Sequence, residues 1–290
     1  MQKSTSIKIL ITLICMLLGI YLPSSFLWVI TAINVLTIGV IHGANDLFIL
    51  SKTIKTTKKT SFSRLFISYV FFVFIMVLAL RHVPQWALLL FVLTSAFHFG
   101  EQQWHRSSYD TSLILHVFYT AFGFLIFSLL FYTHQLQTNV VLLELTGIQI
   151  PETVFATLLY ASIFVSIVTL FFNYNQLKSQ LLPQLLILTS LVTLFYFTSL
   201  LWSFSVYFVL WHSIPSLREQ ARVLYPDHSK PMLKYIRLAM PYWLLAMLGL
   251  GAGLFWFYNS LDSLLAIFFG FLAAITIPHV VVIFWMHKKK

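Results

Sequence analysis

Long apolar runs separated by short polar gaps set the pattern of this chain. Residues 7–22, 26–50, 65–80, 86–100, 111–132, 153–172, 235–257 and 264–286 are runs of this kind, and roughly 20 apolar residues suffice for a helix to cross a bilayer. Residues 181–217 are too long for one crossing of a hydrocarbon core of about 30 Å, so the run is expected to fold back near Ser199–Ser203 into two spans. Between residues 133 and 152 there is no Lys or Arg, and a short interfacial helix is expected. The first run has Lys3 before it and Lys8 at its start, as in a signal peptide. It is read instead as a retained helix, because another span follows at once and no small-x-small cleavage site is clear. The pattern therefore predicts an all-α integral membrane protein, a polytopic helix bundle of about ten transmembrane helices forming a single domain over residues 1–290.

Composition agrees: 59% hydrophobic and 9% charged residues leave too little polar surface to solvate a globular fold. The formal net charge of +10 does not imply nucleic acid, because the basic residues lie in short gaps between apolar runs rather than in patches; the partner is the lipid bilayer. With the N-terminus inside, all but Arg81 of the 18 Lys and Arg residues fall on the inner side. Both termini are therefore expected in the cytoplasm, with the chain multi-pass in the cell membrane. The lone cysteine, Cys15, excludes an internal disulfide, a cysteine-ligated zinc site and an iron–sulfur cluster held by this chain alone. A metal here must be held by nitrogen and oxygen.

Histidine and a carboxylate inside an apolar run cost roughly 2.5 kcal/mol or more each, so Ile41-His42-Gly43-Ala44-Asn45-Asp46 asks for bound partners. By the expected topology His42, His98, His212 and His279 share one layer, roughly 9–15 Å inward from the cytoplasmic edge at helical rise. A lone intramembrane histidine usually bridges helices by hydrogen bonds. Four at one depth point to a metal site, for which neutral imidazole suits iron, copper, zinc or nickel. His116 lies at similar depth on a helix of opposite direction and competes. His82, His105, His134, His228 and His287 fall in loops, at span edges or in the tail and are read as solvated. Asp46, four residues after His42, and Glu101, three after His98, share helical faces with those histidines and are candidate acceptors for the ring nitrogens that do not bind metal, which fixes the imidazole tautomers. Gly249 and Gly253 form a GxxxG spacing, read as ordinary small-residue packing.

His42-Gly43-Ala44-Asn45-Asp46, Ser95-Ala96-Phe97-His98-Phe99-Gly100-Glu101, Trp211-His212-Ser213-Ile214-Pro215 and Ile277-Pro278-His279 resemble the Brp/Blh family of bacterial and archaeal membrane β-carotene 15,15'-dioxygenases. The resemblance covers residues 26–286. It implies an oxidoreductase that uses Fe(2+) and dioxygen to cleave β-carotene at its central double bond into two molecules of all-trans retinal. His42, His98 and His212 match the implied iron ligands. A second histidine one helical turn after the third is also implied; here that position is Ser216, and His279 is the substitute on depth grounds. The substrate would enter sideways from the bilayer into an apolar tunnel, although most of the 29 phenylalanines are read as core or lipid-facing. A retinal-binding opsin is excluded, because it needs a lysine within a late span and none of the late spans contains one. The membrane desaturases are excluded by the absence of clustered HxxxH and HxxHH boxes. The alternative class is a non-enzymatic transporter or carotenoid-binding protein that uses the histidines for proton relay or packing, and stoichiometric metal separates the two.

Overall fold

The computed structural model describes residues 3–54, 59–104, 112–257 and 264–288. Among the described residues the chain is helical, without strands. In hydrocarbon surroundings a helix satisfies its own backbone groups, which is why the apolar runs take this form. Eight helices are long and apolar enough to cross a membrane: Ser4–Tyr21, Phe62–His82, Leu113–Thr133, Glu152–Phe172, Tyr174–Phe197, Leu200–Leu224, Pro231–Phe255 and Leu265–His287. This is the fold of an all-α polytopic membrane protein. The expected fold-back falls at Thr198 and Ser199, both extended, between helices Leu181–Phe197 and Leu200–Val206. The stretch expected to hold a short helix carries Gln135–Thr146.

Two expected spans are not among the eight. Residues 26–50 do not form one helix. Ser24–Asn34 passes into π-helical Val35–Gly39, and a turn through His42, Gly43, Ala44 and Asn45 then precedes the helix Asp46–Thr53. Pro84–Trp104 is a continuous helix of 21 residues, made more polar than the others by Gln85, His98, Glu101, Gln102 and Gln103. The polar segment expected over residues 218–234 is shorter than predicted, because helix Ile214–Leu224 carries Arg218 and Arg222 on its outer turns. Lys55, Lys58, Arg106, Lys289 and Lys290, on which the charge-based orientation partly rests, lie outside the described residues.

The chain divides into two compact units. One comprises Met1–Val35, Ala96–Asn139 and Ile150–His212. In it, helices Leu113–Thr133 and Glu152–Phe172 pack along their lengths, with the Ser128 and Ser162 hydroxyls 2.9 Å apart. Helix Lys3–Tyr21 is held by two indoles: Trp202 Nε1 donates to the Cys15 carbonyl (2.8 Å) and Trp211 Nε1 to the Thr12 hydroxyl (3.0 Å). Gln103 and Gln184 interlock, each amide nitrogen donating to the other residue, at 2.9 and 2.8 Å. Backbones approach closely at two glycines. A Cβ on Gly100 would lie 1.8 Å from the Tyr119 carbonyl oxygen, and one on Gly123 would lie 1.8 Å from that of Ala96.

The other unit comprises Leu36–Ser95, Val140–Gln149 and Ser213–Lys290. Helix Leu264–Lys288 packs on Lys59–His82 and on Asp46–Thr53, and Ile49, Val282, Ile283 and Met286 form a buried cluster there. Leu217, Ala221, Tyr235 and Ala239 form a second cluster between helices Ile214–Leu224 and Pro231–Phe257. Lys52 Nζ donates to the carbonyls of Val223 and Leu224 (2.8 and 3.2 Å), placing a cation on the C-terminal end of helix Ile214–Leu224 where orphan carbonyls favour it. The GxxxG glycines of Pro231–Phe257 pack on nothing: apart from the helix's own adjacent backbone, no described atom comes within 4 Å of a Cβ built on Gly249 or Gly253.

Candidate metal centre

In the second unit the turn at His42–Asn45 and the helix Leu264–Lys288 bring two imidazoles together. The rings of His42 and His279 are T-shaped, with centroids 4.7 Å apart, and both residues are buried. Gly43 makes this approach possible, since a Cβ there would come within 3.2 Å of His279 Nδ1. His279 Nδ1 lies 2.8 Å from Asp46 Oδ1, and the other carboxylate oxygen accepts from the Tyr69 hydroxyl, also at 2.8 Å. His42 Nδ1 faces the Gly39 carbonyl in a short hydrogen bond. The pairing differs from the one the spacing predicts. An i,i+4 face requires a continuous helix, and the turn between His42 and Asp46 removes it, so the Asp46 carboxylate serves His279 instead.

In the first unit, His98 and His212 form a second pair with ring centroids 4.8 Å apart and interplanar angle 81°. His98 lies on the continuous helix Pro84–Trp104. His212 lies in the π-helical turn Tyr207–Ser213, a widened geometry often found where a side chain is re-aimed at a functional site. Aromatic rings wall this pair: Phe99 is 4.1 Å and Phe208 5.5 Å from the His212 ring, centroid to centroid. Gln102 Nε2 donates to the His212 carbonyl (3.1 Å), tying the π-turn to the helix that carries His98. Glu101, one turn after His98 on that helix, is buried.

The model of one protein family, beta-carotene 15,15'-dioxygenase, matches residues 33–287. The chain belongs to this family. His42, His98, His212, His279, Asp46 and Glu101, all of them buried, fall within the match. Among curated proteins and solved structures, nothing matches.

Other histidines of this dioxygenase-family chain sort differently from their sequence reading. His116 is half-buried at the start of helix Leu113–Thr133, where its Nδ1 lies 2.9 Å from the Ser112 carbonyl and its ring stacks on Phe97. His134 is buried rather than solvated, because its Nε2 donates at 2.6 Å to the Thr198 carbonyl exposed by the fold-back. His287 is buried too, 3.4 Å from Glu219. His82 and His228 are exposed as expected, and His105 lies outside the described residues. Ser216, where the resemblance implies a histidine, is buried and accepts from Gln220 Nε2 at 2.8 Å.

Tyr69 is the site residue that the sequence reading omitted. Its signal was a phenol in the apolar run 65–80, where a hydroxyl needs an acceptor. Tyr235, at the start of the apolar run 235–257, is fully buried, with its hydroxyl 2.7 Å from the His42 carbonyl oxygen.

Proposed function

We propose that this chain is an iron-dependent dioxygenase of the cell membrane that cleaves β-carotene at its central 15,15' double bond into two molecules of all-trans retinal. The observation that carries the reading is the buried His279–Asp46 pair beside His42, in a chain of the beta-carotene 15,15'-dioxygenase family. A histidine whose Nδ1–H is committed to a carboxylate or carbonyl has its lone pair on Nε2, the form that binds a late divalent metal. Asp46 sets this tautomer for His279 and Gly39 sets it for His42, so the donor set fits Fe(2+).

In this reading the four histidines singled out in the sequence, His42, His98, His212 and His279, would hold the iron through neutral imidazoles, with no charged ligand required. Bound iron supplies activation of dioxygen beside an alkene. One carbon–carbon double bond and the O–O bond break, and each retinal carbonyl receives one oxygen atom, so no reductant or proton is consumed. The chain's own groups orient and exclude water. Asp46 and Tyr69 fix the His279 ring, the Gly39 carbonyl fixes His42, and Phe99 and Phe208 shield His212. A substrate that is entirely hydrocarbon needs no polar recognition, and it reaches such a site through the bilayer in which it is already dissolved.

Expression in cells that make β-carotene tests the reading directly. The colour is expected to fade with stoichiometric appearance of retinal, and the purified chain is expected to carry iron. Unchanged carotene with an iron-loaded, inserted chain would move the substrate elsewhere. Unchanged carotene with no bound metal would favour proton relay or carotenoid binding.

A further inference from the structure

Breaking a helix inside an apolar environment frees carbonyls and N–H groups that no water can satisfy. The break that positions His42 spans a π-helical turn and the turn at His42–Asn45, so its backbone groups must find other acceptors and donors. One helix, Pro231–Phe257, meets that need from one face. Tyr235, Ala239 and Trp243 lie at i, i+4 and i+8, and Ala239, fully buried between the two aromatic residues, leaves room for close approach.

Three hydrogen bonds of 2.9 Å or less join this face to the broken segment. Trp243 Nε1 donates to the Leu36 carbonyl (2.6 Å), at the head of the π-turn. The Tyr235 hydroxyl donates to the His42 carbonyl (2.7 Å), at the start of the turn. Asn45 Nδ2 donates to the Tyr235 carbonyl (2.9 Å), at its end. A further layer holds the phenol in place. Its oxygen is 2.7 Å from Gln220 Oε1, so its single hydrogen is shared between two acceptors, and the Gln220 amide is anchored on Ser216. Tyr235, Asn45 and Gln220 are all fully buried, where hydrogen bonds are stronger than in water and hold what they join more firmly.

We infer that Tyr235, through the His42 carbonyl, is a positioning residue that holds the His42 imidazole in its metal-binding orientation, and that Trp243 and Asn45 complete the clamp on the broken helix. Ser216 then anchors Gln220 in the clamp, a role distinct from metal ligation. The inference rests on the reading that His42 is a metal ligand.

Cobalt(II) titration of the purified full-length chain tests it, with visible ligand-field absorption and the thermal midpoint of the metal-free chain as separate readouts. Tyr235→Phe removes one oxygen and keeps the ring. It is expected to weaken cobalt binding by about tenfold or more and to shift the absorption bands, while the metal-free midpoint falls only by what the loss of one buried hydrogen bond costs. Trp243→Phe, at a half-buried position, is expected to move the same readouts less, and it carries the test should Tyr235→Phe not fold. Wild-type affinity and bands in the folded variant overturn the clamp and leave the metal reading standing. A lowered midpoint with unchanged cobalt affinity makes Tyr235 purely structural and also overturns it. Failure of the wild-type chain to bind cobalt overturns the metal reading and the clamp together.

Discussion

His279 and Asp46, 233 residues apart in sequence, are joined by a 2.8 Å bond between Nδ1 and a carboxylate oxygen, with both side chains buried. Removing the Asp46 charge while keeping its shape is therefore the sharpest probe of the site. Asp46→Asn still accepts from His279 but no longer raises the basicity of the ring. Outer partners of metal-bound histidines typically contribute about 10–100-fold in metal affinity or activity, and a loss in that range is expected, read as iron content and retinal yield. Tyr69→Phe removes only the second bond to the carboxylate and should cost less, under about tenfold. A larger effect from Tyr69→Phe than from Asp46→Asn would reverse the roles argued here.

Alanine at His42, His98 or His212 is expected to abolish retinal formation nearly completely, since each change deletes a proposed ligand. His279→Ala should do the same if this histidine occupies the fourth position. His228→Ala serves as the control: the residue is exposed, and its Nδ1 merely accepts from the Lys230 backbone at 3.1 Å. Product analysis by chromatography, normalised to inserted protein, checks the series, and retained activity in His98→Ala would remove that residue from the ligand set.

Helix identity was largely legible because apolar runs bounded by charges admit one form in a bilayer. The fold-back at Thr198 followed from length alone. His42, His98, His212 and His279 stood out for the same reason, as costly groups in greasy segments. What could not be read was the break at His42–Asn45. Gly43 and Asn45 are turn formers, but they sit within an apolar run, and the groups that satisfy the broken backbone come from Tyr235 and Trp243, about 200 residues later. Assigning Asp46 to His42 assumed a continuous helix, so the missed break carried directly into the site. The His134 reading failed similarly. Its burial is set by the Thr198 carbonyl, an acceptor created by tertiary structure.

Orientation is open to an independent test. If both termini are cytoplasmic, a reporter that is active only in the cytoplasm should be active when fused after Lys290 or inserted near Lys230. One inserted near Arg81 should be silent. An active reporter near Arg81 would overturn the charge sorting, and with it the common depth of the four histidines.

Two pairs of glycines with different surroundings separate helix packing from helix propensity. At Gly123 a methyl group would meet the Ala96 carbonyl oxygen at 1.8 Å, and at Gly100 the Tyr119 carbonyl oxygen at 1.8 Å. Both obstacles are backbone and cannot swing aside, so the two helices must part. Overpacking of this kind usually costs about 1–3 kcal/mol, and rigid contact at both positions puts Gly123→Ala and Gly100→Ala at or above the upper end. The segment Ala96–Trp104 carries His98, so parting also moves a proposed ligand, and iron content should fall with the thermal midpoint. Gly249 and Gly253 meet nothing within 4 Å, and alanine there is expected to be neutral or to gain up to about 1 kcal/mol from helix propensity. Thermal midpoints of the purified variants decide the matter. If Gly249→Ala or Gly253→Ala proves the more damaging pair, the face they share is packed against something other than lipid.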